Sequence, residues 1–209
     1  MVLNTDNTSD AELMRRVQAG ESERFAELAR RYRAALVRVA VSRLGSVASA
    51  EDVVQETLLS AFKSRHTYRH EFSFRTWLWT ILLNQCHAHY RKQSRQQETL
   101  AAESLDCWSD AQRAPETREP QPLAALLQQE QSARLEALLR RLGSAQADAL
   151  RLRFFGGLKF QEIADAMQCS LGTAKNRVQA GLLRLAELMR EGQCDSAESG
   201  GAQWPGERR

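Results

Sequence analysis

The chain has 209 residues, enough for one large domain or two small ones, with 43% apolar and 26% charged residues. That balance fills a core and keeps a surface wet, and no run approaches the roughly 20 uninterrupted apolar residues of a membrane span. The opening MVLNTDNTSD lacks the basic start and apolar stretch of a secretory signal, and Cys86, Cys107, Cys169 and Cys194 show no paired spacing, so a reducing, cytoplasmic setting is expected rather than a disulfide scaffold.

Strong periodicity is helical throughout and no strand alternation stands out, so the expected fold class is all-α. Ser9-Asp10-Ala11-Glu12 has the form of a capping box and opens a short helix that stops at Gly20. A longer helix is expected over 22–44, with Phe25, Leu28, Ala29, Tyr32, Leu36, Val39 and Ala40 on its apolar side and Gly45 ending it. Ser49-Ala50-Glu51-Asp52 repeats the capping pattern and predicts a helix to about residue 63. A turn-like stretch, 64–71, precedes another helix over about 73–95. Residues 96–122 lose periodicity and gain Glu, Gln, Ser and Pro, which predicts a flexible acidic linker. Helices resume over 123–142, closed by Gly143, and from Ser144 to the Gly156-Gly157 pair. The tail, 191–209, reads as disordered. The expected domains are therefore 1–95 and 123–190.

The segment 160–188, FQEIADAMQCSLGTAKNRVQAGLLRLAEL, has the form of two helices around a tight turn. Ile163, Ala164 and Met167 mark one face of the first. Ser170 is placed to cap the second, along which Leu171, Ala174, Val178, Leu182, Leu185 and Leu188 recur every three or four residues. Between them lie Gly172, Thr173, Lys175, Asn176, Arg177 and Gln179. Amides read adenine and guanidiniums read guanine or grip phosphate, so such a face suits a DNA major groove. An ordinary amphipathic helix pair is the plainer alternative.

Charge is unevenly spread. Lys plus Arg against Asp plus Glu is 15 to 10 over 1–95, 2 to 6 over 96–121, 10 to 6 over 122–190 and 2 to 4 over 191–209. Two basic blocks on one chain point to two contacts with a polyanion, with an ordinary solvated basic surface as the plainer alternative. The first block is concentrated in 65–95, which holds all four histidines, six aromatics and six cations against the single acid Glu71. Aromatics among cations suit a single-stranded nucleic acid, whose bases stack while the cations follow the backbone. Phe74, Trp77, Leu78, Ile81 and Leu82 have helical spacing and are expected mostly in the core, whereas Tyr68 and His70 in the loop are better placed for base contact. In the preceding helix Asp52, Gln55 and Glu56 share one face at i, i+3 and i+4, with Val53, Val54, Leu58, Ala61 and Phe62 turned inward. That acidic stripe suits a basic protein partner better than DNA; a merely solvated helix face is the plainer alternative.

Two segments together resemble a known family. AEDVVQETLLSAFK (50–63) followed by FSFRTWLWTILLNQCHAHYRKQSR (72–95) resembles region 2 of the extracytoplasmic-function (ECF) sigma factors, the small two-domain branch of the sigma-70 family. Residues 123–189, with LRLRFFGGLKFQEIADAMQCSLGTAKNRV, resemble region 4. The resemblance implies two helical domains and a non-catalytic, cofactor-free subunit of RNA polymerase. It places Asp52, Gln55 and Glu56 against the clamp helices of the largest polymerase subunit, with the flap as a second contact. It places Tyr68, His70, Phe72, Asn84, His87, Arg91 and Arg95 on the melted −10 element. Thr173, Lys175, Asn176, Arg177 and Gln179 fall on the duplex −35 element. An anti-sigma factor is a further partner the family implies. The chain departs from the family in two places. A basic residue is usual where Ala180 and Leu182 flank Gly181, and valine is common where Ala174 stands.

Two other readings follow from the residues. A stand-alone helix-turn-helix regulator needs a ligand or phosphoacceptor module in 1–95, where no such signature is found. A metal site would rest on Cys86-His87-x-His89, but residues two positions apart on a helix lie about 200° apart around its axis, so one metal could hardly take both histidines.

Overall fold

A computed structural model describes residues 8–103 and 123–198, and all regular structure among them is helical. A front bundle comprises α1 (Asp10–Gln18), α2 (Phe25–Leu44), α3 (Val47–Lys63) and α4 (Phe74–Glu103). A rear bundle comprises α5 (Leu123–Arg140), α6 (Ser144–Phe154), α7 (Phe160–Ala166) and α8 (Leu171–Glu198). Single 3-10 turns at Ser22–Arg24 and Arg65–Thr67 link α1 to α2 and follow α3.

Local chemistry explains the helix ends. Ser9 Oγ accepts from the Glu12 N–H at 3.2 Å and opens α1. Gly45, at φ 72°, closes α2 in the left-handed region where a side chain would be strained. The next residue, Ser46, already caps α3 through the Ser49 N–H at 3.3 Å. The helix therefore starts at Val47, ahead of the expected box at Ser49: the glycine turn is short enough to let the earlier serine cap first. The stretch from Ser22 begins as a 3-10 turn and becomes α-helical only at Phe25.

Two helices outrun the sequence expectation. α4 continues to Glu103, eight residues into the segment read as linker, and α8 to Glu198, into the segment read as tail. Residues 96–103 are mostly Gln, Glu, Leu and Ala, good helix formers without Gly or Pro, so propensity carries the helix where the apolar period has stopped. The rest of the linker and the tail lies outside the described residues.

The front core joins Leu13, Met14 and Val17 of α1 to Leu28, Leu36 and Val39 of α2, Val53 and Val54 of α3, and Phe74, Leu78 and Leu82 of α4, all buried. Tyr32 reaches across to donate its hydroxyl hydrogen to Asp10, and burial together with that carboxylate raises its pKa. The rear core is built from Leu150 and Leu152 of α6, Ile163 and Ala164 of α7, and Ala174, Val178 and Leu188 of α8. Gly181 lets α8 lie close on α6, since a Cβ there would sit 3.0 Å from Leu150 Cδ1.

Candidate nucleic-acid interface

In the helix-turn-helix, α7 and α8 are joined by a turn with Gln168 at φ 51° and the Cys169 N–H bonded to the Ala164 carbonyl at 2.9 Å. Ser170 caps α8 by accepting from the Thr173 N–H at 3.0 Å, with its hydroxyl 2.8 Å from that of Thr173. Ala174 and Val178 are buried, which turns Lys175, Asn176 and Gln179 to solvent, with Thr173 and Arg177 half-buried beside them. The apolar stripe differs from the expected one. It continues through Gly181, Leu185 and Leu188, while Leu182 is 42% exposed and Leu171 is also outside. Gly181 takes the inward position because only a residue without a side chain fits against Leu150.

The second surface lies on the front bundle. Asn84, His87, Arg91 and Arg95 follow one another at helical spacing along the exposed side of α4. Burial and the nearby Arg43 guanidinium lower the pKa of His87, favouring the neutral imidazole. In the loop before α4, Phe72 is 60% exposed and His70 is also exposed. Tyr68, expected as a base contact, is turned the other way. It is only 4% exposed, donates its hydroxyl hydrogen to the Phe72 carbonyl at 2.8 Å, and packs against Phe74 and Trp77 with centroids 5.8 and 5.4 Å away. Its ring is worth more in the core than in water, so it anchors the loop that Phe72 and His70 leave exposed.

The third surface is the acidic stripe. Asp52, Gln55 and Glu56 are all exposed on α3, while Val53, Val54 and Ala61 are buried and Leu58 and Phe62 half-buried. Leu59, which sequence spacing had not singled out, completes the stripe. It lies three residues past Glu56 and four past Gln55, and it is 45% exposed. Ser60 behind it links Glu56 to Gln85 of α4 through hydrogen bonds of 3.3 and 3.0 Å. Among the described residues no group of three or more His, Cys, Asp or Glu could hold a metal, and no helix is long and apolar enough to cross a membrane.

Comparison with known proteins assigns the chain to a family. Residues 28–96 match the model of sigma-70 region 2, and residues 132–185 match that of sigma-70 region 4. The ECF RNA polymerase sigma factor BldN of Streptomyces coelicolor is 30% identical over 187 residues, covering 89% of this chain and 68% of that protein. The chain belongs to the ECF branch of the sigma-70 family. It is a sigma factor, directing promoter-specific initiation by RNA polymerase. The RNA polymerase sigma-H factor of Pseudomonas aeruginosa is 28% identical over 81% of this chain and 88% of its own length. A solved complex of the sigma factor RpoE with the anti-sigma factor NepR from Bartonella quintana matches 79% of this chain and 96% of that one, at 26% identity and a TM-score of 0.58.

One feature of this sigma factor escaped sequence analysis. The two bundles touch: α2 packs on α6, and α4 on α7. Arg43 of α2 and Arg151 of α6 share the Asp148 carboxylate, and all three are buried, at 6%, 5% and 5% exposure. Arg151 also donates to Ser42 Oγ at 3.2 Å, and Tyr90 donates its hydroxyl hydrogen to the Arg43 carbonyl. Arg75 donates to the Gly156 carbonyl at 2.6 Å. Beside it Trp79 is wholly buried against Gly156, where a Cβ would lie 2.8 Å from the Leu152 carbonyl oxygen and 3.3 Å from the indole. Cys86 is buried near the same charges, and burial pushes its thiol up to about 11.

Proposed function

We propose that the three exposed faces divide the work of initiation. Asp52, Gln55, Glu56 and Leu59 dock on the clamp helices of the polymerase largest subunit. His70, Phe72, Asn84, His87, Arg91 and Arg95 hold the unpaired −10 strand, with Tyr68 supporting the loop from beneath. Lys175, Asn176, Arg177 and Gln179 enter the major groove at −35, Thr173 standing at the capped start of the helix. The observation that carries this reading is that each face stays open to solvent while the other side of its helix is packed.

The energetics require the polymerase. Opening about ten base pairs costs on the order of 14 kcal/mol at about 1.4 per step. Each captured base returns only about 1–3 kcal/mol. The free chain therefore leaves duplex DNA closed, and contacts from the core enzyme supply the difference. A chain with this role works in the cytoplasm, and the likeness to a sigma factor held by an anti-sigma factor supports a protein partner of that kind.

Reading both elements also requires the bundles to part. By their names the elements lie about 25 base pairs apart, or about 85 Å at roughly 3.4 Å per pair. Here α4 packs on α7 and α7 on α8, which spans only about 20 Å at roughly 8–10 Å per helix pair. Even Arg95, 16 residues beyond Trp79, adds only about 24 Å at roughly 1.5 Å per residue.

Reconstitution with core RNA polymerase and mapping of transcription starts tests the whole reading. New starts sharing upstream sequence at both elements are expected, and these disappear when Asp52 and Gln55 are both changed to Arg. Normal polymerase binding by that double variant would remove the acidic face from the docking surface.

A further inference from the structure

The matched region 2 begins at residue 28, yet a side chain upstream of it grips the −10 loop. Gln18 is the last residue of α1, and α1 packs on the 3-10 turn at Arg65–Thr67. Its Nε2 donates to the carbonyls of Arg65 and Tyr68, at 2.7 and 3.0 Å. Its Oε1 lies 2.7 Å from His70 Nε2. Carbonyl oxygens only accept, so the amide nitrogen must face them and the amide oxygen must face the histidine. His70 Nε2 therefore carries the hydrogen.

Both amide hydrogens and the amide oxygen of Gln18 are thus engaged with one short loop. The loop's own backbone bonds are local. Thr67 N–H reaches the Ser64 carbonyl, Tyr68 N–H that of Arg65, and Phe72 N–H that of Arg69, each three residues away. Such turns set local shape without fixing the loop against the rest of the bundle. The Arg65 guanidinium on the Phe62 ring ties its start to α3, and the rest is held by the buried Tyr68 ring and the half-buried Gln18 amide, which crosses about fifty residues of sequence to reach it.

We infer that Gln18 is a positioning residue for promoter melting. It holds residues 65–72 in place, so that the exposed Phe72 ring and the His70 imidazole are set before an unstacked base arrives. A loop already ordered spares the complex the entropy of ordering it on binding. Gln18 does not read a base itself, because its polar atoms are already committed. The inference rests on the reading of this loop as a −10 contact, and the test separates the two.

The experiment uses holoenzyme reconstituted with core polymerase, on a promoter taken from the start-site map and carrying 2-aminopurine in the −10 non-template strand. Gln18→Ala and Gln18→Glu are compared with Phe72→Ala and His70→Ala. Glutamate keeps the length of the side chain but offers the two carbonyls no donor. Both Gln18 variants are expected to bind core polymerase and −35 duplex as the parent does, while the fluorescence rise slows about tenfold, the scale of one lost net hydrogen bond to a preorganised site. Discrimination between the native base and a substituted one on a pre-opened −10 bubble should fall in parallel. Wild-type opening by Gln18→Ala beside impaired Phe72→Ala would overturn the inference and keep the loop reading. Wild-type opening by all four variants would overturn both. Proportional loss of polymerase binding, −35 binding and melting temperature in Gln18→Ala would make the residue structural only and also overturn it.

Discussion

The interior of the front bundle and the centre of the seam between the two bundles are both hidden from water but chemically unlike. Inside the front bundle Leu28, Leu36, Leu78 and Leu82 meet apolar neighbours, and exposing them returns nothing. At the seam two guanidiniums share one carboxylate, a third arginine reaches a backbone carbonyl, and one indole fills a glycine gap. Buried ions lose hydration when brought together and regain it when released, so such a contact is specific yet separable. Apolar burial makes each bundle permanent, whereas ionic burial allows the pair to open.

The largest test removes the shared carboxylate. Asp148→Asn leaves Arg43 and Arg151 facing one another in a dry site, at a cost to the closed form of about 3–5 kcal/mol. Faster modification of Cys86 by a thiol reagent is expected, with the front bundle still melting cooperatively. Unchanged labelling would mean that the ions do not hold the seam. The same thiol gives a pH signature. Its pKa in the closed form is raised to about 11 by burial, against about 8.5 for a free cysteine. Its contribution to closure is therefore complete below about 8.5 and lost as pH climbs through about 11. Labelling that follows a simple free-thiol titration would contradict this.

Leu28→Ala addresses the other side of the comparison. A fully buried leucine truncated to alanine costs about 2–5 kcal/mol. Calorimetry should show a lower melting temperature for the front bundle, and Cys86 labelling should change only as far as that bundle unfolds. Next in size is Gly156→Ala, at about 1–3 kcal/mol, because its Cβ meets Leu152 backbone and Leu158 side chain as well as Trp79. A change in tryptophan fluorescence should accompany it. The smallest is Ser170→Ala, which removes the α8 cap at a cost of about 1 kcal/mol. Reduced −35 binding without any effect on Cys86 labelling is the expected pattern.

Much of the fold was legible from spacing. Ser9 and Ser170 cap the helices they precede, Gly45 ends α2, and the inward residues of α2 and α3 follow their apolar period. α4 was harder because it is buried on two sides. Phe74, Leu78 and Leu82 face their own bundle at the expected interval, but Trp79 faces the other one, and no period within the helix distinguishes the two demands. Tyr68 misled for a related reason. A loop aromatic among cations has the composition of a base platform whether its ring points out or in, and only the packing of Phe74 and Trp77 decides.

The sequence by itself determined what repeats or acts within a few residues: an all-helical chain, the Ser9 and Ser170 caps, the acidic stripe on α3 and the polar face of α8. Helical geometry converts such spacing directly into shared faces. Tertiary structure alone decided that Gln18 meets a loop some fifty residues away, that Asp148 sits between Arg43 and Arg151, and that Leu182 turns outward beside Gly181. Each of those depends on close approach between separate elements, and a one-dimensional pattern carries no distance between them.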